Sequence, residues 1–351
     1  MKVLHVINNL GSGGAEKMLI DFINVKTGVY NEVLLLIDKK ISYKLPDNFK
    51  YKILSKSNKR FSLLKIYQLY KYVKKNNYDV VHAHLFPTQY YVAFVKLLLG
   101  KSIKIVTTEH NTTNKRRKYW LSRKIDKFIY NLYDKIIFIS DGVKKQFLLD
   151  FPSLEHKGII INNGINLESF FSSKPIKTNN KKIKLLMVAR FDSQKDHETL
   201  IKAMSMLDEK YTLSLAGEGV NLEKIKNLVK KNNLENRVKF LGFVKGVEKI
   251  YQNHDIFILS SNWEGFGLVA IEAMASGLPV IASNVEGLKE VVGKAGLLFE
   301  KKNEKDLAEK IKFLGENTLI KEKYIKKGMI HAKNFDIKHL VSQTIKLYKQ
   351  L

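Results

Sequence analysis

The stretch SSNWEGFGLVAIEAMASGLPVIAS, residues 260–283, decides the fold of this chain. It follows three apolar residues typical of the end of a strand, and its two glycines indicate a loop. The apolar run after the loop predicts a helix over about residues 267–275, which Gly277 and Pro279 would end. A second apolar strand follows. Strand, loop, buried helix and strand together are typical of a parallel sheet covered by helices.

One charged residue, Glu272, interrupts the apolar surface of this predicted helix. A buried carboxylate is strongly unfavourable without a partner, so a polar group must meet it. A second carboxylate, Glu264, lies in the loop before the helix, and the first backbone amides of a helix form a site for an anion. A phosphate at those amides and hydroxyl groups on the two carboxylates would indicate a nucleotide sugar or a similar ligand. The alternative is that Glu272 is satisfied within the core and Glu264 is an ordinary loop residue.

The rest of the sequence alternates short apolar strands with amphipathic helices in two successive series, the second beginning at about residue 184. This alternation predicts an α/β protein of two Rossmann-like, doubly wound domains facing each other across a cleft. The polar run 172–182 has the composition of a linker. The predicted domains are residues 1–170 and 171–336, followed by a C-terminal helix, 337–351, that can return to the first domain.

Charged residues and glycines follow the predicted strands at the edge where such sheets bind ligands. Arg190 and Lys195 leave the first strand of the second series, and a guanidinium group with an ammonium group suits a diphosphate. The alternative is that both are surface charges balanced by neighbouring aspartates. Gly217 closes the next strand, where a glycine lets the backbone approach a ligand.

The first predicted strand runs into a glycine-rich turn that contains Gly13 and Gly14. A dinucleotide-binding fingerprint needs a further glycine where Glu16 stands, so an oxidoreductase interpretation is incomplete. His110 follows the strand predicted at residues 103–107. It is either a structural loop histidine or a ligand contact.

Five segments together resemble the retaining glycosyltransferases of family 4, which have the GT-B fold. The longest is E-G-F-G-L-V-A-I-E with A-M-A-S-G-L-P-V-I-A, and the others are A-R-F-D-S-Q-K-D, G-G-A-E, T-E-H-N and N-N-G-I-N. The resemblance extends from the first strand to at least Phe299. It implies transfer of a sugar from a nucleotide diphosphate sugar, with UDP as the first expectation, to a hydroxyl of a glycan or lipid-linked glycan. It also implies a place in bacterial surface polysaccharide synthesis.

The resemblance implies roles for individual residues. Arg190 and Lys195 would stabilise the departing diphosphate, Glu264 would bind the transferred sugar, and Glu272 would bind the ribose. His110 would steady the sugar from the acceptor side, so His110, Glu264, Arg190 and Lys195 are the expected catalytic residues. The remaining donor-binding positions act mainly through their backbone: Gly13, Gly14, Gly217, Val244, Phe266, Gly267, Leu268 and Val269.

The family generally uses no metal, and this sequence contains no D-x-D run that could hold one. We therefore expect no metal site and no cofactor, the nucleotide sugar being a substrate. Two alternatives remain open. One is a nucleotide-sugar epimerase or phosphorylase on the same fold, and the other is a basic nucleic-acid-binding protein. The second leaves the 260–283 motif without a role, so we expect no nucleic-acid partner.

The formal net charge is +27, and residues 1–170 contain 29 Lys and Arg against 13 Asp and Glu. This excess either reflects composition alone or marks a basic face that binds a polyanion. Basic residues lie beside aromatic ones at 59–75 and 115–121, with Arg116 and Arg117 in the second segment. These two segments predict contact with an anionic membrane surface.

The chain contains no cysteine, which fits a reducing compartment. Its N-terminus reads as a strand and a glycine turn rather than a signal peptide, and no apolar stretch is long enough to span a bilayer. The expected location is cytoplasmic, with peripheral binding to the inner face of the cytoplasmic membrane as an option.

Overall fold

The computed structural model describes residues 1–351 except 12, 40, 42, 44, 47, 48, 58, 60 and 172–181. Its contacts divide the chain into two units, Met1–Gly164 with Ile337–Leu351, and Ile165–Asp336. Each unit contains one parallel sheet with helices packed on it. The prediction of an α/β protein with two Rossmann-like sheets is confirmed.

Seven strands form the first sheet: β1 (Lys2–Ile7), β2 (Tyr30–Leu35), β3 (Tyr51–Ile53), β4 (Val80–His84), β5 (Lys104–Glu109), β6 (Lys135–Phe138) and β7 (Gly158–Ile160). Their spatial order is β3-β2-β1-β4-β5-β6-β7, and their pairings are parallel. The central strands β1 and β4 are buried along almost their whole length. Most of these buried residues are apolar, as is typical of parallel strands covered on both faces, and the exceptions are His5, His82 and His84.

Five helices alternate with these strands: α1 (Gly14–Asn24), α2 (Leu63–Asn76), α3 (Thr88–Leu99), α4 (Trp120–Asn131) and α5 (Asp141–Asp150). The chain moves in one direction across the sheet from β3 through β4 and β5 to β6. Because parallel crossovers are right-handed, α2, α3 and α4 lie in one layer on the same face. In agreement, α2 packs against α3, and α3 packs against α4.

Six strands form the second sheet: β8 (Ile183–Val188), β9 (Tyr211–Ala216), β10 (Val238–Gly242), β11 (Ile256–Leu259), β12 (Val280–Ser283) and β13 (Leu297–Phe299). Their spatial order is β10-β9-β8-β11-β12-β13, and the pairings are again parallel. The helices are α6 (His197–Ser205), α7 (Leu222–Lys231), α8 (Glu248–Tyr251), α9 (Leu268–Ala275), α10 (Lys289–Val292), α11 (Glu304–Glu316) and α12 (Thr318–Ala332).

The boundary between the units lies after Gly164, six residues before the predicted end of the first domain at 170. The amide of Ile165 donates to the backbone oxygen of Phe335 at 2.9 Å, and Ile165 also forms a parallel bridge with Asp336. Leu167 and Phe170 are buried, so this segment belongs to the second unit. The last helix, α13 (Ile337–Lys349), groups with the first unit and packs against α1.

The sequence does not predict the short elements β3, β13, α8 and α10, because three or four residues are too few for a periodic pattern. The structure also shows that Ser140, whose side-chain oxygen accepts from the amide of Val143, caps α5. The linker predicted at 172–182 lies almost wholly outside the described residues. No helix among the described residues is long and apolar enough to cross a bilayer.

Candidate active site

The second sheet changes direction between β8 and β11, because β9 and β10 lie on one side of this pair and β12 and β13 on the other. The loops that leave two such neighbouring strands diverge and open a crevice at the carboxyl ends of the strands. Here the two loops contain Arg190, Lys195 and Glu264. Three of the predicted site residues therefore lie where doubly wound sheets bind their ligands.

Lys195 and Glu264 form an ion pair in which Nζ lies 2.7 Å from Oε2. Both side chains are largely buried, so water and salt screen the pair only weakly. Gln194 donates through Nε2 to the same carboxylate oxygen at 3.2 Å and to the backbone oxygen of Trp263 at 3.1 Å. Protein groups thus hold the ammonium and the carboxylate in a defined orientation.

Further hydrogen bonds join the two loops into one wall. The Ser260 hydroxyl contacts the backbone oxygens of Lys195 at 3.1 Å and Asp196 at 2.9 Å. The amide of Asn262 donates to the backbone oxygen of Gln194 at 2.7 Å, and its side chain donates to that of Ser193 at 2.9 Å. Residues from two distant parts of the sequence are therefore positioned together.

Arg190 differs from Lys195, since its guanidinium group is exposed to solvent. Its nearest carboxylate is Asp192, with 3.5 Å between Nη2 and Oδ2. The structure therefore brings Lys195 and Glu264 into direct contact but leaves Arg190 on the outer side of the same loop. The surface pairing with an aspartate, considered from the sequence, is present for Arg190.

The first turn of α9 depends on two glycines with positive φ. Gly267 caps the helix at φ 85°, and a Cβ there would lie 2.6 Å from a methyl carbon of Leu288. Gly287 has φ 80°, and a Cβ there would lie 2.4 Å from the backbone oxygen of Glu264. No sequence pattern identifies Gly287, because its role arises only from this close approach. Phe266, Leu268 and Val269 complete the turn, and Phe266 is buried against the ring of Phe335.

Glu272 is half-buried in α9, and its partner is Tyr251. The Tyr251 hydroxyl donates to Oε2 of Glu272 at 2.8 Å. Tyr251 is fully buried, and burial together with the neighbouring carboxylate raises the pKa of its hydroxyl well above the usual value. This tyrosine supplies the polar contact that the charge of Glu272 requires, and no sequence pattern pointed to it.

Gly217 and Val244 lie in the loops after β9 and β10. Gly217 has φ 142°, and a Cβ there would lie 2.0 Å from the backbone oxygen of Ala189, so the residue must be glycine. Its amide donates to the backbone oxygen of Gly242 at 2.8 Å. Val244 stands in the turn between Gly242 and Gly246, both of which have positive φ. These loops thus present mainly backbone at the carboxyl edge of the sheet.

In the first unit, Gly13 and Gly14 begin α1. Gly13 is the residue before the helix, and its backbone oxygen accepts from the amide of Lys17 at 3.2 Å and from the hydroxyl of Tyr43 at 3.0 Å. Glu16 reaches back over this turn, with Oε2 2.2 Å from where a Cβ on Gly13 would lie. The residue that breaks the dinucleotide fingerprint therefore lies at the helix start itself.

His110 follows β5 in the first unit. Its Nε2 atom is buried, and among the described residues it has no hydrogen-bond partner. Burial lowers the pKa of His110 to about 4, although the neighbouring carboxylate of Glu109 opposes this shift. The imidazole is therefore neutral near pH 7 and has a nitrogen available for one hydrogen bond.

A group of three buried histidines lies on β1 and β4, with one ring nitrogen of each within 4.8 Å of the others. Nδ1 of His5 lies 3.1 Å from Nε2 of His84. His82 contacts the hydroxyl of Tyr348 at 2.5 Å and that of Thr108 at 2.7 Å through its two nitrogens. These contacts occupy most of the nitrogens, so hydrogen bonding within the protein accounts for the group.

The basic residues predicted to face a membrane do not all reach the surface. Arg117 is buried and forms an ion pair with Glu109, with 3.0 Å between Nη2 and Oε2. Lys65 is also buried and donates through Nζ to two backbone oxygens at 2.8 Å. Arg116 is half-buried, with its guanidinium carbon 3.5 Å from the centre of the Phe86 ring. The prediction is therefore wrong for Arg117 and Lys65, because each neutralises polar groups inside the unit.

Two family models match the chain. The one described as Glycosyltransferase Family 4 matches residues 32–169, and the one described as Glycosyl transferases group 1 matches residues 169–330. Together they span most of both units.

Individual proteins also resemble this chain over most of its length. The N-acetylgalactosamine-N,N'-diacetylbacillosaminyl-diphospho-undecaprenol 4-alpha-N-acetylgalactosaminyltransferase of Campylobacter jejuni is 29% identical over 345 residues, 94% of each chain. An uncharacterized glycosyltransferase of Methanocaldococcus jannaschii is 33% identical over 285 residues, 80% of this chain and 77% of the relative. Among solved structures, an Anabaena protein in complex with UDP and glucose matches over 100% of both chains, with a TM-score of 0.85 and 20% identity.

Proposed function

Because this chain belongs to the group 1 glycosyltransferases and has the GT-B fold, we propose that it transfers a sugar from a nucleotide diphosphate to a hydroxyl of a lipid-linked glycan. The observation that carries the proposal is the ion pair of Lys195 and Glu264 at the switch point of the second sheet. An ammonium group, a carboxylate and the amides that begin α9 suit the phosphates and hydroxyls of such a donor.

At the phosphate end, Lys195 and the amides of Leu268 and Val269 bind the diphosphate, and the exposed Arg190 turns toward it when it binds. The bond between the anomeric carbon and the diphosphate breaks during transfer, and negative charge builds on the departing group. Cations and helix amides placed there stabilise this charge most when it is fully developed, so they lower the barrier. This arrangement supplies the charge that a metal ion would otherwise provide, and we propose that the reaction needs no metal and no cofactor.

At the sugar end, Glu264 accepts hydrogen bonds from hydroxyl groups of the transferred sugar. Its pairing with Lys195 holds the carboxylate in a fixed orientation. His110, neutral near pH 7 because its pKa is about 4, uses its available Nε2 for a hydrogen bond with the sugar from the acceptor side. Glu272, oriented by Tyr251, binds the ribose hydroxyls, and the loops of Gly217 and Val244 border the base.

The new bond joins the acceptor oxygen to the anomeric carbon with retained configuration, and the acceptor proton passes to an oxygen of the departing diphosphate. Two comparisons support the choice of substrates. The name of the Campylobacter relative describes an alpha linkage made on a saccharide attached to diphospho-undecaprenol, which favours a lipid-linked acceptor. The Anabaena protein holds UDP, which favours a UDP sugar as donor.

A transfer assay tests the proposal. The protein is incubated with UDP and GDP sugars and with diphospho-lipid-linked saccharides, in buffer with and without chelator, and the product linkage is determined by NMR. We expect an alpha-linked product from one UDP sugar, with equal rates in chelator. An inverted linkage would contradict retention, and loss of activity in chelator that manganese or magnesium restores would contradict the metal-free site. Conversion of donor without acceptor, or a requirement for inorganic phosphate, would instead indicate an epimerase or a phosphorylase.

Two substitutions separate the roles of the carboxylates. Glu264→Gln should lower kcat by about 10²-fold, because its interactions strengthen in the transition state. Glu272→Gln should raise KM for the donor by about tenfold and change kcat little, because the ribose does not react. Glu235→Gln, at an exposed position outside the site, is the matched control. Unchanged kinetics in both site variants would remove these carboxylates from the site.

A further inference from the structure

Exposed apolar side chains concentrate on one part of the first unit. Of the 25 large hydrophobic residues that are exposed among the described residues, 12 lie between residues 61 and 128, on or beside α2, α3 and α4. Leu63 is 84% exposed and Trp120 is 63% exposed. Apolar surface grouped in this way marks an interaction site rather than ordinary scatter.

Helix α2 shows how this surface arises. Its buried row is Lys65, Leu69 and Val73, spaced at i, i+4 and i+8. Leu63, Leu64 and Tyr67 lie outside that row and are exposed. The apolar residues of this helix therefore divide between the core and solvent.

Helix α4 repeats the arrangement. It buries Asp126, Ile129 and Tyr130, whereas Leu121, Ile125 and Phe128 are exposed at i, i+4 and i+7. A row with this spacing runs along one side of a helix. The helix thus presents a continuous apolar stripe away from the core.

The three helices are joined at their N-terminal ends. Phe61, before α2, contacts Phe86 and Tyr90 at the start of α3, with ring centroids 5.6 Å and 6.2 Å apart. Arg116, before α4, lies over the rings of Phe86 and Tyr90. Because α2, α3 and α4 also lie in one layer, their exposed residues belong to one surface, which we call the α2–α4 face.

Positive charge is concentrated on the same segment. Residues 55–132 contain 17 Lys and Arg against three Asp and Glu. Two of these acids, Glu109 and Asp126, are buried beside Arg117 and Arg116. The cations left at the surface therefore meet almost no exposed carboxylate on this segment, so a lysine-rich composition alone does not explain the pattern.

Lysines on the face lie against its aromatic rings. Nζ of Lys71 is 4.5 Å from the centre of the Tyr67 ring, and Nζ of Lys124 is 4.9 Å from that of Trp120. Aromatic rings with lysines beside them are typical of groups that lie at the boundary between lipid tails and headgroups. Arg60 and the side chain of Lys115, in the two predicted basic segments, lie outside the described residues.

We propose that the α2–α4 face docks on an anionic lipid bilayer. Leu63, Leu64, Trp120, Leu121 and Phe128 enter the outer edge of the acyl layer, and the exposed lysines contact the headgroups. The charges favour an anionic surface, and the leucines that project among them favour lipid over nucleic acid, since phosphates offer nothing apolar to cover them. The proposal concerns binding alone and does not depend on the proposed sugar transfer.

The two tryptophans of the chain make insertion measurable, because Trp120 lies on the face and Trp263 in the second unit. In the Trp263→Phe variant, emission comes from Trp120 alone. Vesicles of phosphatidylglycerol in phosphatidylcholine should shift this emission to shorter wavelength, and brominated acyl chains should quench it. Pure phosphatidylcholine should do neither at the same concentration. These vesicles contain no sugar donor and no acceptor. A failure to bind them would therefore not contradict the proposed sugar transfer, and a failure of the transfer assay would not contradict membrane binding.

Co-sedimentation of surface variants separates charge from insertion. Lys124→Glu with Lys127→Glu should weaken binding to anionic vesicles at least about tenfold, since each basic residue near the surface contributes about a fivefold factor. Leu121→Ser with Phe128→Ser should weaken it about tenfold as well, and their exposure means that folding is unaffected. The matched controls are Lys230→Glu with Lys231→Glu and Leu319→Ser in the second unit. Both controls should bind as the unmodified protein does.

Three outcomes would overturn the proposal. The first is equal recovery with neutral and anionic vesicles. The second is binding without any change in Trp120 emission, which would reduce the contact to unspecific charge attraction. The third is release from vesicles by single-stranded RNA at a concentration where an equally charged polyglutamate has no effect, which would indicate a nucleic-acid surface instead.

Discussion

The two units share one order of strands and helices but place their ionisable groups differently. In the first unit, Glu109 and Arg117 are sealed inside at the end of β5, and three histidines fill the interior beside β1 and β4. In the second unit, Lys195 and Glu264 line the crevice at the switch point, and Arg190 extends into solvent. Equivalent edges of two similar sheets thus enclose their ion pair in the interior in one case and place it in an open crevice in the other.

This difference shows that a charged residue at a strand end is a weak guide to function until its surroundings are known. Arg117 and Arg190 are both arginines near the carboxyl end of a parallel sheet. One is buried against a carboxylate and aromatic rings, and the other is 62% exposed. Loss of the first should therefore affect folding, and loss of the second should affect binding.

The largest expected effect is the response of the first unit to acid. Burial lowers the pKa of His5 to about 4 and those of His82 and His84 well below 6.5. The unfolded chain takes up protons at these positions near pH 6.5, whereas the folded chain does not, so stability is complete above pH 6.5 and declines as pH falls toward 4. Each histidine contributes up to about 1.4 kcal/mol per pH unit.

Hydrogen exchange resolved by peptide at pH 7 and pH 5, after correction for intrinsic rates, measures this response. Peptides of the first unit should lose more opening free energy than those of the second. The second unit provides the internal reference, because it contains only two histidines of lowered pKa, His197 and His254, against four in the first. Equal losses in the two units would show that protonation of the buried histidines does not make the stability of the first unit depend on pH.

The next largest effect is expected from a comparison of the buried Arg117 with the exposed Arg190. Arg117→Met leaves the Glu109 carboxylate buried without its cation, which should lower the free energy of unfolding by about 3–5 kcal/mol. Arg190→Met should change it by no more than about 0.5 kcal/mol, because that side chain is exposed. Urea unfolding of both variants gives the comparison. Adding Glu109→Gln to Arg117→Met should recover part of the loss, and no recovery would mean that packing rather than charge dominates.

A smaller effect is expected at Gly287, where the crevice wall depends on a positive φ. Gly287→Ala should cost about 1–3 kcal/mol, since its Cβ would meet the backbone oxygen of Glu264. Gly28→Ala is the matched control, because nothing lies within 4 Å of its Cβ position and its φ is not in the left-handed region. The unfolding temperature and the affinity for the donor should both fall in Gly287→Ala and should stay unchanged in Gly28→Ala. Normal donor affinity in a destabilised Gly287→Ala protein would show that this glycine does not shape the site.

The smallest expected effect concerns the partner of Glu272. Tyr251→Phe removes the hydroxyl that donates to Oε2 and should lower the free energy of unfolding by about 1 kcal/mol, since water can reach the half-buried carboxylate. If Tyr251 orients Glu272 toward a ligand, donor affinity should fall with it. Calorimetric titration with the nucleoside diphosphate gives that affinity, and an unchanged value would leave the tyrosine as a packing residue only.

Much of the architecture could be predicted because a regular spacing of apolar residues over a long segment is compatible with only one type of secondary structure. The helix predicted at about residues 267–275 spans Leu268–Ala275, and the second series, predicted to begin at about residue 184, begins with β8 at Ile183. The family was predicted from the 260–283 motif and is confirmed. By contrast, β3 has three exposed residues and shows no pattern that periodicity could reveal. Lys65 and Arg117 were predicted at the surface from their charge, because only the fold shows which carboxylates and backbone oxygens they meet.

The return of α13 to the first unit bears on how the protein is made. Tyr348 hydrogen-bonds His82, and Leu340 and Thr344 line the small cavity beside the same histidines. These residues leave the ribosome only after the whole of the second unit has been synthesised. The first unit begins the chain, yet its histidine-lined interior lacks these contacts until the last residues of the chain have been released. A chaperone that binds the nascent chain would find its longest-lived target in residues 1–164.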